Sequence, residues 1–192
     1  SSGSAPMGDE LPEIKITNDM LFASSQRWSQ DHTRIADGDI TTIFQTIWNS
    51  GINPHYDAEY GVYIDVNLPD NQYKYITFNY ITGTNNNNVP SHIKIYAGES
   101  KSNLVLLGEY LRENDNLPTG KSTWFRERAD LPVYALNGMQ VKVFRISFIR
   151  SYDALNHQKE NEPMTDESHN VAPNINLTHP AVTIGELKLY GL

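Results

Sequence analysis

Apolar residues in this chain recur at every second position. In "VYIDVNLP", Val62, Ile64, Val66 and Leu68 share one face, with Tyr63, Asp65 and Asn67 on the other. "YKYITFNYI" sets Ile76, Phe78 and Tyr80 opposite Thr77 and Asn79, and "HIKIYAG" repeats the pattern with Ile93, Ile95 and Ala97. "TIGELKLYGL" places Leu187 and Leu189 on one face, while "QVKVFRISFIR" is apolar on both, as a strand covered on both sides would be. Successive strand residues point to opposite faces, so period-two spacing specifies strands and argues against amphipathic helices. The runs are rich in Ile, Val, Tyr and Phe, and turn residues bound them. Strict alternation predicts antiparallel sheets with one wet face. The one helical candidate is a single turn in "ITNDMLFASS", capped by Asn18 or Asp19. Many short strands joined by polar loops predict an all-β sandwich or jelly roll.

A length of 192 residues with 39% hydrophobic content suits one domain with a real core. The net charge of -8 argues against nucleic acid, which needs a basic face, and against anionic membranes. Cysteine is absent, which excludes disulfides and thiolate metal sites and leaves the redox compartment open. No apolar run approaches the roughly 20 residues of a membrane helix, so membrane insertion is not expected. No leader is read, although a secretion signal removed earlier would leave no trace. Residues 1–12, opening "SSGSAPMG", read as linker or expression scar, and 13–192 as the domain. A long polar insertion at about 151–180 reads as an ordered excursion before the last strand.

"RIADGDITTIFQTIWN" sets two acids around Gly38, then threonines, then Phe44 and Trp48. Carboxylates, hydroxyls and backbone carbonyls are hard ligands suited to calcium. Asp37 and Thr42 straddle the turn at Gly38, so their oxygens can converge. The spacing is not that of an EF-hand, and a plain polar turn between strands is the alternative.

In order, "ITNDMLFASSQ", "IADGDITTIFQTIW", "YGVYIDVNLP", "YKYITFNYIT", "VPSHIKIYAG" and "TIGELKLYGL" resemble the coagulation factor 5/8 type C, or discoidin-like, domains. The closest likeness is to the bacterial family 32 carbohydrate-binding modules. The resemblance implies an eight-stranded jelly-roll sandwich whose first and last strands lie near each other. It also implies a structural calcium held by Asp37, Thr42 and Glu186, with backbone carbonyls near Arg34, Asp39 and Gly185. Phe44 stands where the family usually has tryptophan and is expected in the core. Galactose-binding relatives often place an arginine after the Phe-x-Tyr strand. Here Thr82 and Gly83 fall at that position, although the asparagines from Asn85 to Asn88 remain.

Sugar modules stack an aromatic ring on a pyranose and use a few polar side chains for its hydroxyls, typically in a concave site. The loop candidates are Trp28, His32, Trp48, His55, Tyr56 and Asn85. The competing reading makes Trp28 and Trp48 core plugs under long loops. Trp124, Phe125 and Arg126 allow a second polar-aromatic patch, but the residue types favour a strand with core aromatics. Hydrolase elbows, zincin pairs and phosphate-cradling loops are missing. His157, His169 and His179 fit no zinc template, and Glu160, Glu162, Asp166 and Glu167 read as a solvated run. The expectation is a non-catalytic glycan-binding module, bacterial, secreted or on the cell surface, attached to catalytic or adhesin domains. The alternative is a protein-binding or adhesive discoidin-like domain without a sugar pocket. A membrane-lipid binder would need basic loops that the acidic balance opposes.

Overall fold

The computed structural model describes residues 4–47, 57–82, 89–111, 124–151 and 182–192. Ten strands are found among them, against the eight expected: β1 (Glu13–Ile14), β2 (Leu21–Ala23), β3 (Phe44–Gln45), β4 (Val62–Asn67), β5 (Tyr75–Thr82), β6 (Pro90–Ser100), β7 (Asn103–Leu111), β8 (Tyr134–Ala135), β9 (Val143–Ser151) and β10 (Thr183–Gly191). The extra ones are segments of two or three residues at sheet margins. One sheet runs β1-β10-β5-β8, with β3 also on β10; the other runs β2-β4-β9-β6-β7. Every pairing is antiparallel.

The alternating residues explain the core. Val62, Ile64, Val66 and Leu68 are buried, as are Ile76, Phe78, Tyr80, Ile93, Ile95 and Ala97. Phe44 is buried with them. On β10, Ile184 and Leu187 are an odd number of residues apart, yet both are buried. A register shift between Ile184 and Glu186 reconciles them, because one extra residue resets the alternation. Lys188 and Tyr190 then share the outer face with Glu186.

Three expectations need correction. The reverse face of β4 and β9 is not uniformly wet: Asp65 is 0% exposed and Arg145 3%. Arg145 donates through Nε and a terminal nitrogen to both Asp65 oxygens, at 2.7 and 2.9 Å. Its guanidinium lies 3.7 Å from the Tyr63 ring centroid and 4.5 Å from that of Tyr60. Aromatic cover and a fork-to-fork ion pair make burial of both charges tolerable.

The N-terminal segment is not all linker. Gly8–Glu10 forms a 3-10 turn, and Leu11 is buried against Leu131 and Tyr190. A Cβ on Gly8 would stand 2.2 Å from the Arg128 carbonyl oxygen, so this approach requires glycine. The predicted helical turn exists as a 3-10 turn at Asn18–Met20, but Thr17 occupies the cap position. The insertion after Ser151 lies outside the described residues.

Candidate functional site

The chain between β2 and β3 makes one long excursion, which backbone hydrogen bonds tie to the start of β10. Arg27 N donates to Gln45 O and Gln45 N to Gln30 O, which clips a tight turn at 27–30 onto β3. Thr46 N donates to Val182 O, and Leu187 N to Ile35 O. Two features of interest therefore share one rigid loop system, a tryptophan turn and an acidic turn.

Trp28 sits at the tip of the first turn and is 91% exposed. That excludes the core-plug reading for this residue. A bare indole on a clipped turn keeps its whole face open at small entropic cost. His32 lies four residues on, and its ring is held by Gln26. The His32 backbone N–H donates to Gln26 Oε1 at 3.0 Å, which identifies that atom as an acceptor. His32 Nδ1, at 3.2 Å from the same oxygen, must then be the donor. In the neutral ring this leaves Nε2 as an acceptor for an outside hydroxyl. Gln26 was missed at the sequence level, since nothing in its local pattern marks it. Trp48, His55, Tyr56 and Asn85 lie outside the described residues. Thr82, one of the residues standing in place of the family arginine, is buried at the end of β5.

The acidic turn follows. Gly38 has φ of +76°, a conformation that side chains disfavour. Its N–H donates to Glu186 Oε1 at 3.2 Å across 148 residues of chain. Asp37 Oδ1 accepts from Asp39 N at 2.9 Å, and Asp37 Oδ2 accepts from Thr42 Oγ1 at 2.6 Å. Thr42 Oγ1 is also 3.0 Å from the Asp39 carbonyl oxygen. The Asp39 carboxylate turns away, to the N–H and hydroxyl of Thr41. Arg34 ends the preceding 3-10 turn, and Gly185 occupies the β10 register shift.

Glu186 is the strained member. It is 5% exposed, and its Oε2 is buried without a hydrogen-bond partner. Burial first, and then the neighbouring Asp37 charge, push its carboxyl up to about 7; the Gly38 N–H and Lys188 pull the other way. Two carboxylates meet here with too few donors, so they either share a proton or require a cation. Among the described residues no group of three or more His, Cys, Asp or Glu side chains converges. A cation here would therefore depend on hydroxyl and backbone oxygens as well, a donor set that fits calcium better than zinc.

Comparison with known proteins adds the fold's relatives. No family model matches the sequence, and no curated protein does. Among solved structures, the third family 32 module of a family 31 glycoside hydrolase from Clostridium perfringens superposes at a TM-score of 0.59 with 15% identity, covering 98% of this chain and 100% of that one. The chain has the family 32 carbohydrate-binding-module fold. A second module of that fold, from C. perfringens NanJ and solved in complex with galactose, gives a TM-score of 0.51 at 16% identity, over 93% of this chain and 98% of that one. Both of those modules are all but spanned by this chain. Among the described residues no helix is long and apolar enough to cross a membrane.

Proposed function

We propose that this chain is a non-catalytic carbohydrate-binding module that recognises glycans at the loop end carrying Trp28. The observation that carries the reading is the 91% exposure of Trp28 on a turn clipped to the sandwich. An exposed rigid indole is suited to stack on the C–H face of a pyranose, and His32 Nε2 is suited to a sugar hydroxyl. The fold agrees, since its solved neighbours include a module from a glycoside hydrolase and one holding galactose. The module works outside the cell or on its surface, attached to a larger enzyme or adhesin. Trp28→Ala should weaken glycan binding by about 30-fold or more, the loss of one aromatic hot spot of about 2 kcal/mol. Calorimetry against the strongest array ligand measures this. Unfolding should be unchanged, because an exposed ring contributes nothing to the core. Undiminished affinity would remove Trp28 from the site.

The same reading includes a structural calcium. Asp37, Thr42 and Glu186 would hold it with backbone carbonyls of the loop, Asp39 O being the best placed. The ion supplies the positive charge that lets both carboxylates stay ionised. It would tie the excursion before β3 to β10 and so fix the Trp28 turn. The support is the orphaned Glu186 Oε2 beside Asp37.

A further inference from the structure

A concave surface lies on the outer face of the β1-β10-β5 sheet and encloses about 590 Å³. Its floor is made where Lys188 of β10 pairs with Asn79 of β5. The segment from Trp124 to Arg128 lies across β5. Asn79 holds it there, donating to Arg126 O at 3.0 Å and accepting from Arg126 N at 3.3 Å. Glu13 of β1 completes the lining. The sequence favoured a strand with core aromatics here, but the structure divides the residues. Phe125 packs on Tyr80, with ring centroids 4.9 Å apart, while Trp124 makes a single bridge to Ile81 and stays 38% exposed.

The groove's charges are unusual for this chain. Arg126, Arg128 and Lys188 face Glu13 and Glu127, a formal excess of one positive charge on a chain of net charge -8. Arg128 is committed, donating to Gly8 O and Leu11 O and stacking on Tyr190. Arg126 is not. Its guanidinium rests over the Tyr110 and Phe125 rings and donates to Asp130 O at 3.3 Å, and it meets no carboxylate among the described residues. Lys188 lies 5.3 Å from the Trp124 ring centroid and shares Glu13 at 3.6 Å.

An aromatic face, a guanidinium fork without an acid and an ammonium beside the ring match one class of ligand. We propose that this groove is a second glycan site, separate from the loop end, that takes a pyranose carrying a carboxylate, of the uronic-acid class. The apolar ring face stacks on Trp124, and the carboxylate is received by Arg126 with Lys188 beside it, a geometry for which arginine is well suited. Glu127 accepts sugar hydroxyls, while Glu13 competes for Lys188 and, with Glu127, repels ligands that carry further negative charge.

The test is an amide and indole NMR titration of the whole chain with glucuronate, glucose and glucose 6-sulfate. Glucuronate should give saturable shifts at the Trp124 indole, residues 125–128 and Lys188. Glucose, the same ring without the charge, should bind about tenfold more weakly or worse, as should the Arg126→Met variant with glucuronate. Glu13→Gln removes a competitor for Lys188 and should tighten glucuronate binding, a gain that misfolding cannot produce. Trp28→Ala should leave these shifts unchanged, which separates this site from the loop end. Equal responses to glucose and glucuronate, a preference for the sulfate ester, shifts confined to the Trp28 loop, or no gain in Glu13→Gln would overturn the proposal.

Discussion

Arg145→Met should lower the unfolding free energy by about 3–5 kcal/mol, because it strands the Asp65 carboxylate in the interior of the sheet face. Asp65 is 0% exposed, and its remaining cation, Lys101, stands at 3.5 Å from a half-exposed position. Lys101 can recover part of the loss but cannot reproduce two short donated bonds. Tyr60 and Tyr63 also lose the cation between them. The double variant Asp65→Leu with Arg145→Met should regain most of the stability, since an apolar pair needs no desolvated charge. Urea unfolding of the three proteins measures both effects. A loss below about 1 kcal/mol in Arg145→Met, the range of exposed ion pairs, would contradict the buried-pair account.

The second large effect is a pH dependence that calcium should erase. Glu186 has its carboxyl raised to about 7 in the folded chain, against roughly 4.3 for an unfolded glutamate. The folded state therefore holds more protons than the unfolded state between those values. Stability should fall as pH rises through that window, by roughly 3–4 kcal/mol in total if no cation is bound. The neighbouring charges work in both directions, Asp37 raising the value and Lys188 lowering it. Calcium binding only to the folded state adds stability by mass action and favours the ionised pair. Urea unfolding from pH 5 to pH 8, with chelator and then with calcium, should show the falling slope only with chelator. Glu186→Gln should flatten the chelator curve and lose the calcium response. A calcium response that persists in Glu186→Gln, or no response in the parent chain, would exclude Glu186 as a ligand.

The sandwich was legible because its long strands bury one face, and period two records that face directly. Phe44, which opens β3, was expected in the core only because the family resemblance places a tryptophan there. Asp65 was not. A charged residue at an outward position reads as solvated, and its partner Arg145 lies 80 residues away, where no local pattern links them. The docking of Gly8–Leu11 was hidden because polar, small-residue termini look alike whether or not a glycine permits close approach. Gly38 and the acids beside it were legible as a turn, whereas the pairing with Glu186 came only from the family resemblance. Trp28 was ambiguous, because residue type alone does not separate a core plug from an open ring; the turn clipped to β3 decides it. Trp124 and Phe125 are adjacent in sequence, yet one faces the groove and the other the core. Only tertiary contacts divide such a pair.

The central claim is glycan recognition through the Trp28 loop end, and a glycan array probed in calcium with the parent chain and Trp28→Ala side by side tests it most directly. The account predicts saturable binding of the parent chain to a related set of glycans, with the neutral members of that set lost in Trp28→Ala. A folded parent chain that binds no glycan on the array, or a Trp28→Ala profile identical to the parent's, would contradict it.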